Sequence, residues 1–341
     1  MNADIATAIV LSPQCVLSGV MGVLDVLTTA NYVAQRLPDV SARFRPTLVS
    51  AGGVAVQGSN GLCLPAKSDL PDPATVRIAI VPSGPPAIFG PARMRATLAE
   101  QERLTTWLRD VHAAGGTLAS CCTGSFQLAA AGLLDGKLAT THWRAEETFR
   151  TLFPQVELRI DSLLQAEDRV ITGGGAQSFS TTILWLIRQY LGEDVATGTA
   201  KLMLAEGHVS GQNAFRQWLP QREHGDEVIA RAQAWLEENF TAPFELEAFA
   251  ARFALTPRTL MRRFKQATGL APLQYQQRLR VEAAKVQLEG SQMHVNQIVW
   301  QTGYEDVSSF QRLFKRETGL TMVEYRQRFG GRRYDSARSA V

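Results

Sequence analysis

Residues 262–279, RRFKQATGLAPLQYQQRL, return fifty positions later as RLFKRETGLTMVEYRQRF at 312–329. Nine of the eighteen positions are identical: Arg262/Arg312, Phe264/Phe314, Lys265/Lys315, Thr268/Thr318, Gly269/Gly319, Leu270/Leu320, Tyr275/Tyr325, Gln277/Gln327 and Arg278/Arg328. A repeat of this length means that one supersecondary unit is built twice, each copy burying its own apolar face. No other feature of the chain restricts its fold as much.

Each copy has the grammar of a helix-turn-helix. In the first, residues 246–253 place Leu246, Phe249, Ala250 and Phe253 on one helical stripe, and residues 254–255 form a tight turn. Thr256 then caps a second helix, with Pro257 at its first position, where a missing N–H costs nothing. That helix buries Leu260 and Phe264 and ends at Gly269, suited to a left-handed C-terminal cap. In the second copy Val295, Ile298 and Val299 mark the first helix and Gly303–Tyr304 the turn. Asp306 or Ser308 starts the next helix, which buries Phe310 and Phe314 and ends at Gly319. An amphipathic stretch, 273–288, connects the copies.

The outward face of the second helix carries Arg258, Met261, Arg262 and Lys265 in the first copy. In the second it carries Val307, Ser308, Ser309, Arg312 and Lys315. Such a helix fits the major groove, where arginine grips a guanine through two hydrogen bonds. Charge agrees: residues 228–341 hold 17 Arg/Lys against 11 Asp/Glu, while 1–227 hold 18 against 21. A basic end on an acidic body approaches a polyanion with that end alone. The alternative is a pair of amphipathic hairpins with solvated basic faces. The duplication, the turn residues and the charge together favour DNA.

On these residues, 228–329 resemble the AraC/XylS family of transcription regulators. The departures are Met322, where the family usually has proline, and Trp300, where a small residue is common. The resemblance implies base contact from Arg258, Met261 and Arg262 in the first copy and from Val307, Ser308 and Arg312 in the second. Ser309, Lys265 and Lys315 would stand nearer phosphate.

Upstream the texture changes. Apolar runs at 5–11, 44–50, 77–82, 117–120, 138–141 and 169–172 alternate with amphipathic stretches at 22–35, 94–114, 125–134, 145–152 and 178–191. Strand and helix in alternation predict a doubly wound, flavodoxin-like α/β parallel sheet covered on both faces. The all-α double helix-turn-helix follows it. The polar segment QWLPQREHGDE, 217–227, separates a domain at 1–216 from one at 228–330, and 331–341 is expected to fray. The start, MNADIATAIVLSPQCVL, lacks a basic n-region and reads as a first strand rather than a signal peptide. No apolar run looks long enough to cross a bilayer. Cys15, Cys63, Cys121 and Cys122 lack metal spacing and suit reduced thiols in a cytoplasm.

The informative N-terminal segment is TLASCCTGSFQLAAAGLLDGKLATTHW, 117–143. A strand ends in two cysteines, then Thr123–Gly124, and a helix begins. That sharp turn displays one side chain at a cleft mouth beside a helix N-terminus, whose dipole favours a thiolate. The segment, and more loosely residues 5–210, resembles the class I glutamine amidotransferase-like, PfpI-like superfamily, in its branch fused to an AraC-type domain. SCCTG, GLLDGKLATTHW and SGQNAF all have counterparts there. The resemblance places Cys122 at the elbow and Gly84 on the facing loop.

Two departures count against turnover. Peptidase-like members carry histidine after the elbow cysteine, and Thr123 stands here. Hydratase-like members carry an acid near Gly19, and the nearby Asp25 belongs to the following helix. A cysteine without a partnered base lacks a route to activation beyond the helix dipole. His142 is read as structural, Cys121 as core, and Cys122 as a retained pocket residue. The rival readings are a bifunctional protein with a catalytic Cys122 and a sensor using its thiolate for redox chemistry. Gly173–Gly175 lacks a phosphate fingerprint, and His112, His208, His224 and His294 show no ligand spacing. No cofactor or metal is expected. The expectation is a cytoplasmic regulator, an activator rather than a repressor. It would bind a double-stranded DNA operator and a small effector at Gly84, Cys122, Thr123 and His142. Amino acids or other nitrogenous metabolites suit the family as effectors, and RNA polymerase and a second copy of the chain are expected partners.

Overall fold

The computed structural model describes residues 4–84, 90–205, 211–218, 220–222 and 224–330. His208 and the expected frayed tail lie outside the described residues. The chain forms two compact units, Met1–Gln212 and Asn213–Val341.

In the first unit the strands are β1 (Asp4–Leu11), β2 (Arg43–Ser50), β3 (Ile78–Val81), β4 (Thr117–Cys121), β5 (Leu164–Glu167) and β6 (Val170–Gly173). They pair in the order β2-β1-β3-β4-β6-β5, all parallel except β5, which runs antiparallel along β6. This is the flavodoxin-like order with an added edge strand. Alternation along each strand assigns its two faces. Ala8, Val10, Ala79 and Val81 pack with Trp107, Leu108, Phe126 and Phe149 on one side. Ile9, Leu11, Ile78 and Ile80 pack with Val23, Leu27, Ile183 and Ile187 on the other. The first side is covered by α3 (Glu102–Ala113), α4 (Ser125–Ala130) and α5 (Glu146–Leu152), the second by α1 (Leu17–Ala34), α6 (Phe179–Leu191) and α7 (Glu193–Leu202).

Four expectations change. The stretch 94–114 is not one helix but α2 (Gly90–Ala99) and α3, because Gln101 leaves the helical region at φ −110°, ψ 25° and turns its amide inward to Gln127. The stretch 125–134 is helical only through Ala130, stopped by Gly132 at φ 72°. Residues 138–141 do not join the main sheet. Leu138–Ala139 pairs with Glu157–Leu158 in a separate ribbon, and the edge place goes to β5. Finally, α1 is long and apolar enough by length and composition to cross a membrane. Its Val20, Val23, Val26, Leu27, Ala30 and Ala34 are buried on the sheet, as in a core helix.

The second unit is helical: α8 (Glu227–Glu238), α9 (Leu246–Arg252), α10 (Pro257–Thr268), α11 (Pro272–Gly290), α12 (Val295–Gln301), α13 (Val307–Thr318) and α14 (Met322–Phe329). Its two cores share α11. Tyr275 joins Ile229, Leu236, Phe249, Leu260 and Phe264 in one. Val281, Ala284 and Leu288 join Ile298, Phe310, Phe314 and Tyr325 in the other. Thr256 accepts the Thr259 N–H at 3.3 Å, Pro257 opens α10, and Gly269 and Gly319 close their helices at φ 75° and 77°. Of the two proposed starts for α13, Asp306 is the cap. The expected connector does not hang free. Trp218 stands edge-on to Tyr275 at 4.7 Å and Asp226 caps α8, while just upstream of the connector Ala214 lies in the second core.

Candidate DNA interface and effector cleft

Helical periodicity puts Arg258, Met261, Arg262 and Lys265 at i, i+3, i+4 and i+7, and all four are exposed on α10, opposite buried Leu260, Phe264 and Ala267. On α13, Ser308, Arg312 and Lys315 are exposed and Val307 and Ser309 half-buried, opposite Phe310, Leu313 and Phe314. The nine predicted residues thus gather on the outer faces of two equivalent helices.

One arrangement was not anticipated. The Asp306 carboxylate accepts the Ser308 N–H at 2.9 Å and the Ser309 hydroxyl at 2.5 Å. Ser309 Oγ in turn accepts from Arg312 Nη2 at 2.8 Å. The Ser309 hydroxyl, with backbone donors beside it, holds the Asp306 carboxyl below its ordinary pKa. The first copy has a neutral counterpart, in which the Thr256 hydroxyl donates to Thr259 at 2.9 Å, and among the described residues no bond ties it to Arg262. The duplicated tyrosines brace each copy alike: Tyr275 donates to Glu237 at 2.8 Å and Tyr325 to Glu289 at 2.8 Å. Burial, then the facing carboxylate, pushes both phenols well above their usual pKa.

In the first unit the sheet's winding reverses between β1 and β3, and the carboxyl ends of β1, β3 and β4 bring Ser12, Ser83 and Cys122 to one edge. Cys122 sits at φ 54°, a left-handed conformation unusual for a side-chain-bearing residue. Gly124 makes the turn possible, since a Cβ there would lie 2.4 Å from the Val81 carbonyl oxygen. Thr123 Oγ1 donates to the Gly84 carbonyl at 3.0 Å, and Ser125 donates to Thr141, which donates to the Cys122 carbonyl at 3.1 Å. Gly84, Cys122 and Thr123 therefore form one buried cluster. The loop beyond Gly84, 85–89, lies outside the described residues.

The electrostatics differ from the expectation of a favoured thiolate. Burial pushes the Cys122 thiol above its ordinary pKa, and the Ser83 and Thr123 hydroxyls only offset this. The helix that should supply a dipole, α4, has six residues. Cys121 is fully enclosed and pushed up to about 12. His142 does not join Cys122: its Nδ1 accepts the Arg144 N–H at 3.1 Å, its ring stacks on Trp143, and burial, then Arg144, lowers its pKa. Among the described residues no hydrogen bond links the two. Gly19 is buried in α1 with no atom within 4 Å of where a Cβ would stand.

Gln212, inside SGQNAF, is a further buried polar residue whose place was not foreseen. Its amide nitrogen reaches the carbonyl oxygens of Thr141, Ile160 and Ser162 at 2.9–3.1 Å, and its oxygen accepts the Trp143 N–H at 3.1 Å. The side chain thus pins the segment holding His142 to the last described turn of the first unit.

Family comparisons agree with both halves. The model of the DJ-1/PfpI family matches residues 18–187, and a helix-turn-helix domain model matches 249–328. The HTH-type transcriptional regulator CdhR of Pseudomonas aeruginosa is 27% identical over 311 residues, 89% of this chain and 86% of that protein. The regulator ArgR of the same organism is 26% identical over 238 residues, 69% of this chain and 71% of its own length. The transcriptional activator RhaS of Escherichia fergusonii is 42% identical over 105 residues, 31% of this chain and 38% of that protein. A solved Vibrio parahaemolyticus protein, a candidate transcriptional regulator, shares the first unit's fold at a TM-score of 0.51 and 20% identity, covering 59% of this chain and 99% of its own. The chain belongs to the AraC-type DNA-binding transcription regulators that carry an N-terminal DJ-1/PfpI-type, glutamine amidotransferase-like domain.

Proposed function

We propose that this regulator is a cytoplasmic activator that reads two successive major-groove segments and responds to a small metabolite. Arg258, Met261 and Arg262 on α10 and Val307, Ser308 and Arg312 on α13 contact base edges. Lys265, Lys315 and Ser309 lie toward phosphate. The observation that carries this reading is the pair of equivalent helices, each with a basic exposed stripe opposite a closed apolar core. Arginine suits guanine, and the exposed Met261 thioether suits a thymine methyl. Arg262→Ala and Arg312→Ala should each weaken a selected duplex by about 1–3 kcal/mol while sparing random DNA. Equal loss on both duplexes would make these residues phosphate contacts instead.

The effector, an amino acid or other nitrogenous metabolite, binds at the sheet edge around Gly84, Cys122, Thr123 and His142, and the chain acts as a homodimer that contacts RNA polymerase. The likeness to the transcriptional activator RhaS, over the DNA-binding segment alone, favours activation. The first domain acts without turnover. A thiol with raised pKa and, among the described residues, no bonded base is a poor nucleophile. Raising the melting temperature of the full chain with free amino acids tests the effector class, since a ligand of the fold stabilises it.

A second reading has one observation behind it. The left-handed backbone at Cys122 is strain of the kind stored at working sites, which favours a catalytic or redox-active thiol. Chemical change of an added metabolite that is lost in Cys122→Ser would establish it.

A further inference from the structure

Between the N-terminal half of α11 and the second reading helix, α13, lies a cleft of about 430 Å³, lined by Leu270, Gln274, Gln277, Arg278, Leu313, Arg316 and Glu317. Its place in the fold follows from helix geometry. Arg316 stands one turn beyond Arg312 on α13, so that wall adjoins the stripe given to base contact. Leu270 directly follows Gly269, the C-cap of α10, so the opposite wall begins where the first reading helix ends. The N-terminal half of α11 supplies the floor.

The lining is chemically uneven. Arg278 lies 3.2 Å and Arg316 3.4 Å from the single carboxylate of Glu317. Two guanidiniums against one carboxylate leave a net positive charge and unused N–H donors, five being available on each arginine. The Gln274 oxygen accepts the Ala271 N–H at 3.1 Å, which leaves its amide hydrogens as the donating end. Leu270 and Leu313 make the rest apolar. Cationic forks beside apolar patches match a sugar–phosphate unit: the guanidiniums take the phosphate oxygens and the leucines take the deoxyribose face.

We propose that this cleft seats the DNA backbone where it crosses the minor groove between the two major-groove segments, with Arg278 and Arg316 on a phosphate. The inference rests on the reading of α10 and α13 as groove helices, because a duplex touching both must pass in front of the space between them. Glu317 holds the two arginines in place and competes with the phosphate for them. The structural alternative is that Arg278, Glu317 and Arg316 merely clamp α11 to α13. The two accounts differ in sign for the loss of the carboxylate charge.

The test uses the full chain, a duplex selected by it from a random library, and a random-sequence duplex, each titrated with salt. Arg278→Gln and Arg316→Gln should weaken both duplexes alike and lower the salt slope by about 1 each, and Arg316→Lys should keep most of the slope. Glu317→Gln should tighten both duplexes several-fold. Weaker or unchanged binding in Glu317→Gln, or an unchanged slope in the glutamine variants, would overturn the proposal. Arg316 is 68% exposed, so its variant carries the test even if Arg278→Gln fails to fold. Arg262→Ala and Arg312→Ala are run in parallel. If they leave the selected-to-random ratio unchanged, the groove reading fails; if they change it while the slopes stay fixed, the cleft alone fails.

Discussion

The guanidinium of Arg280 lies over the ring of Tyr304, 5.0 Å from its centroid. Arg280 belongs to α11 and is 8% exposed, and it donates to the carbonyls of Phe240 at 2.6 Å and Ala242 at 2.7 Å. Gln276 donates to the same two carbonyls. The loop after α8 is thereby joined to the turn that precedes α13. One arginine thus touches both the segment leading into the first helix-turn-helix copy and the turn of the second, which predicts that it fixes their spacing. Removing it leaves two carbonyls without their charged donor, a cost of about 3 kcal/mol. Arg280→Ala should therefore lower the urea midpoint. It should also bind duplexes whose two half-sites are shifted by one base pair nearly as well as the native spacing. A variant that is less stable but keeps its spacing preference would show that Arg280 serves the fold alone.

The two turns answer one geometric demand with different residues. Ala254 takes φ 53° in the first turn and Gly303 takes φ 82° in the second. A left-handed alanine costs about 1–2 kcal/mol, and glycine returns part of that gain as chain entropy. Ala254→Gly should raise stability by about 0.5–1 kcal/mol. Gly303→Ala should cost about 2 kcal/mol or more, because its Cβ would fall 2.0 Å from the Thr241 carbonyl oxygen. Thermal unfolding of the two variants measures both. Equal and opposite shifts would mean that dihedral strain alone matters and that the Thr241 contact yields.

Local signals were legible in the residues, and distant ones were not. Thr256, Pro257 and Gly269 each state their role within one turn of helix, so the caps could be read directly. The elbow was legible for the same reason, since a strand, two cysteines and a glycine leave the backbone few routes. Gln212 could not be read this way. Its partners at 141, 160 and 162 lie fifty to seventy residues away, and no short pattern marks a buried amide that meets three carbonyls. The run 138–141 reads as a strand of the sheet and 164–167 does not stand out, because both are short. Which of two short runs completes a sheet depends on pairing across the fold, and β-propensity carries little of that information. Of the candidate site, Gly84 and Thr123 meet through a bond, while His142 accepts from Arg144 and, among the described residues, has no hydrogen bond to the thiol.

Arg263, beside the base-contact set, makes a two-pronged ion pair with Asp226 at 2.6 and 2.9 Å. Asp226 also caps α8 through the Ile229 N–H at 3.2 Å. The Arg263 guanidinium, first, and the cap hold the Asp226 carboxyl below its ordinary pKa. Its contribution to stability is then present above the unfolded value and is lost as pH falls through the depressed folded value. Asparagine caps nearly as well as aspartate, so Asp226→Asn isolates the ion pair. The variant should melt lower than the parent at neutral pH, and the two should converge on acidification below the ordinary carboxylate range. A gap that persists in acid would assign the loss to packing.

At Cys122 the backbone and the side chain make separable demands. The left-handed turn tolerates a small residue, so Cys122→Gly should fold and gain stability, while Cys122→Val should lose it, because a β-branched side chain suffers most at positive φ. Serine keeps the size and the neutral hydrogen-bonding hydroxyl beside Ser83 and Thr123. Under the binding reading, a buried thiol of raised pKa acts as a neutral group, and its exchange for a hydroxyl changes affinity modestly. Amino-acid-dependent stabilisation should therefore survive in Cys122→Ser within about 1 kcal/mol of the parent, a tenfold range in affinity being about 1.4 kcal/mol. Under the catalytic reading the same exchange removes the nucleophile, and loss of the thiolate costs orders of magnitude in rate. The two are separated by following an added amino acid by mass spectrometry while melting is recorded on the same samples. Stabilisation retained with no chemical change in either protein is the expected result, and turnover confined to the cysteine protein would replace the sensor by an enzyme.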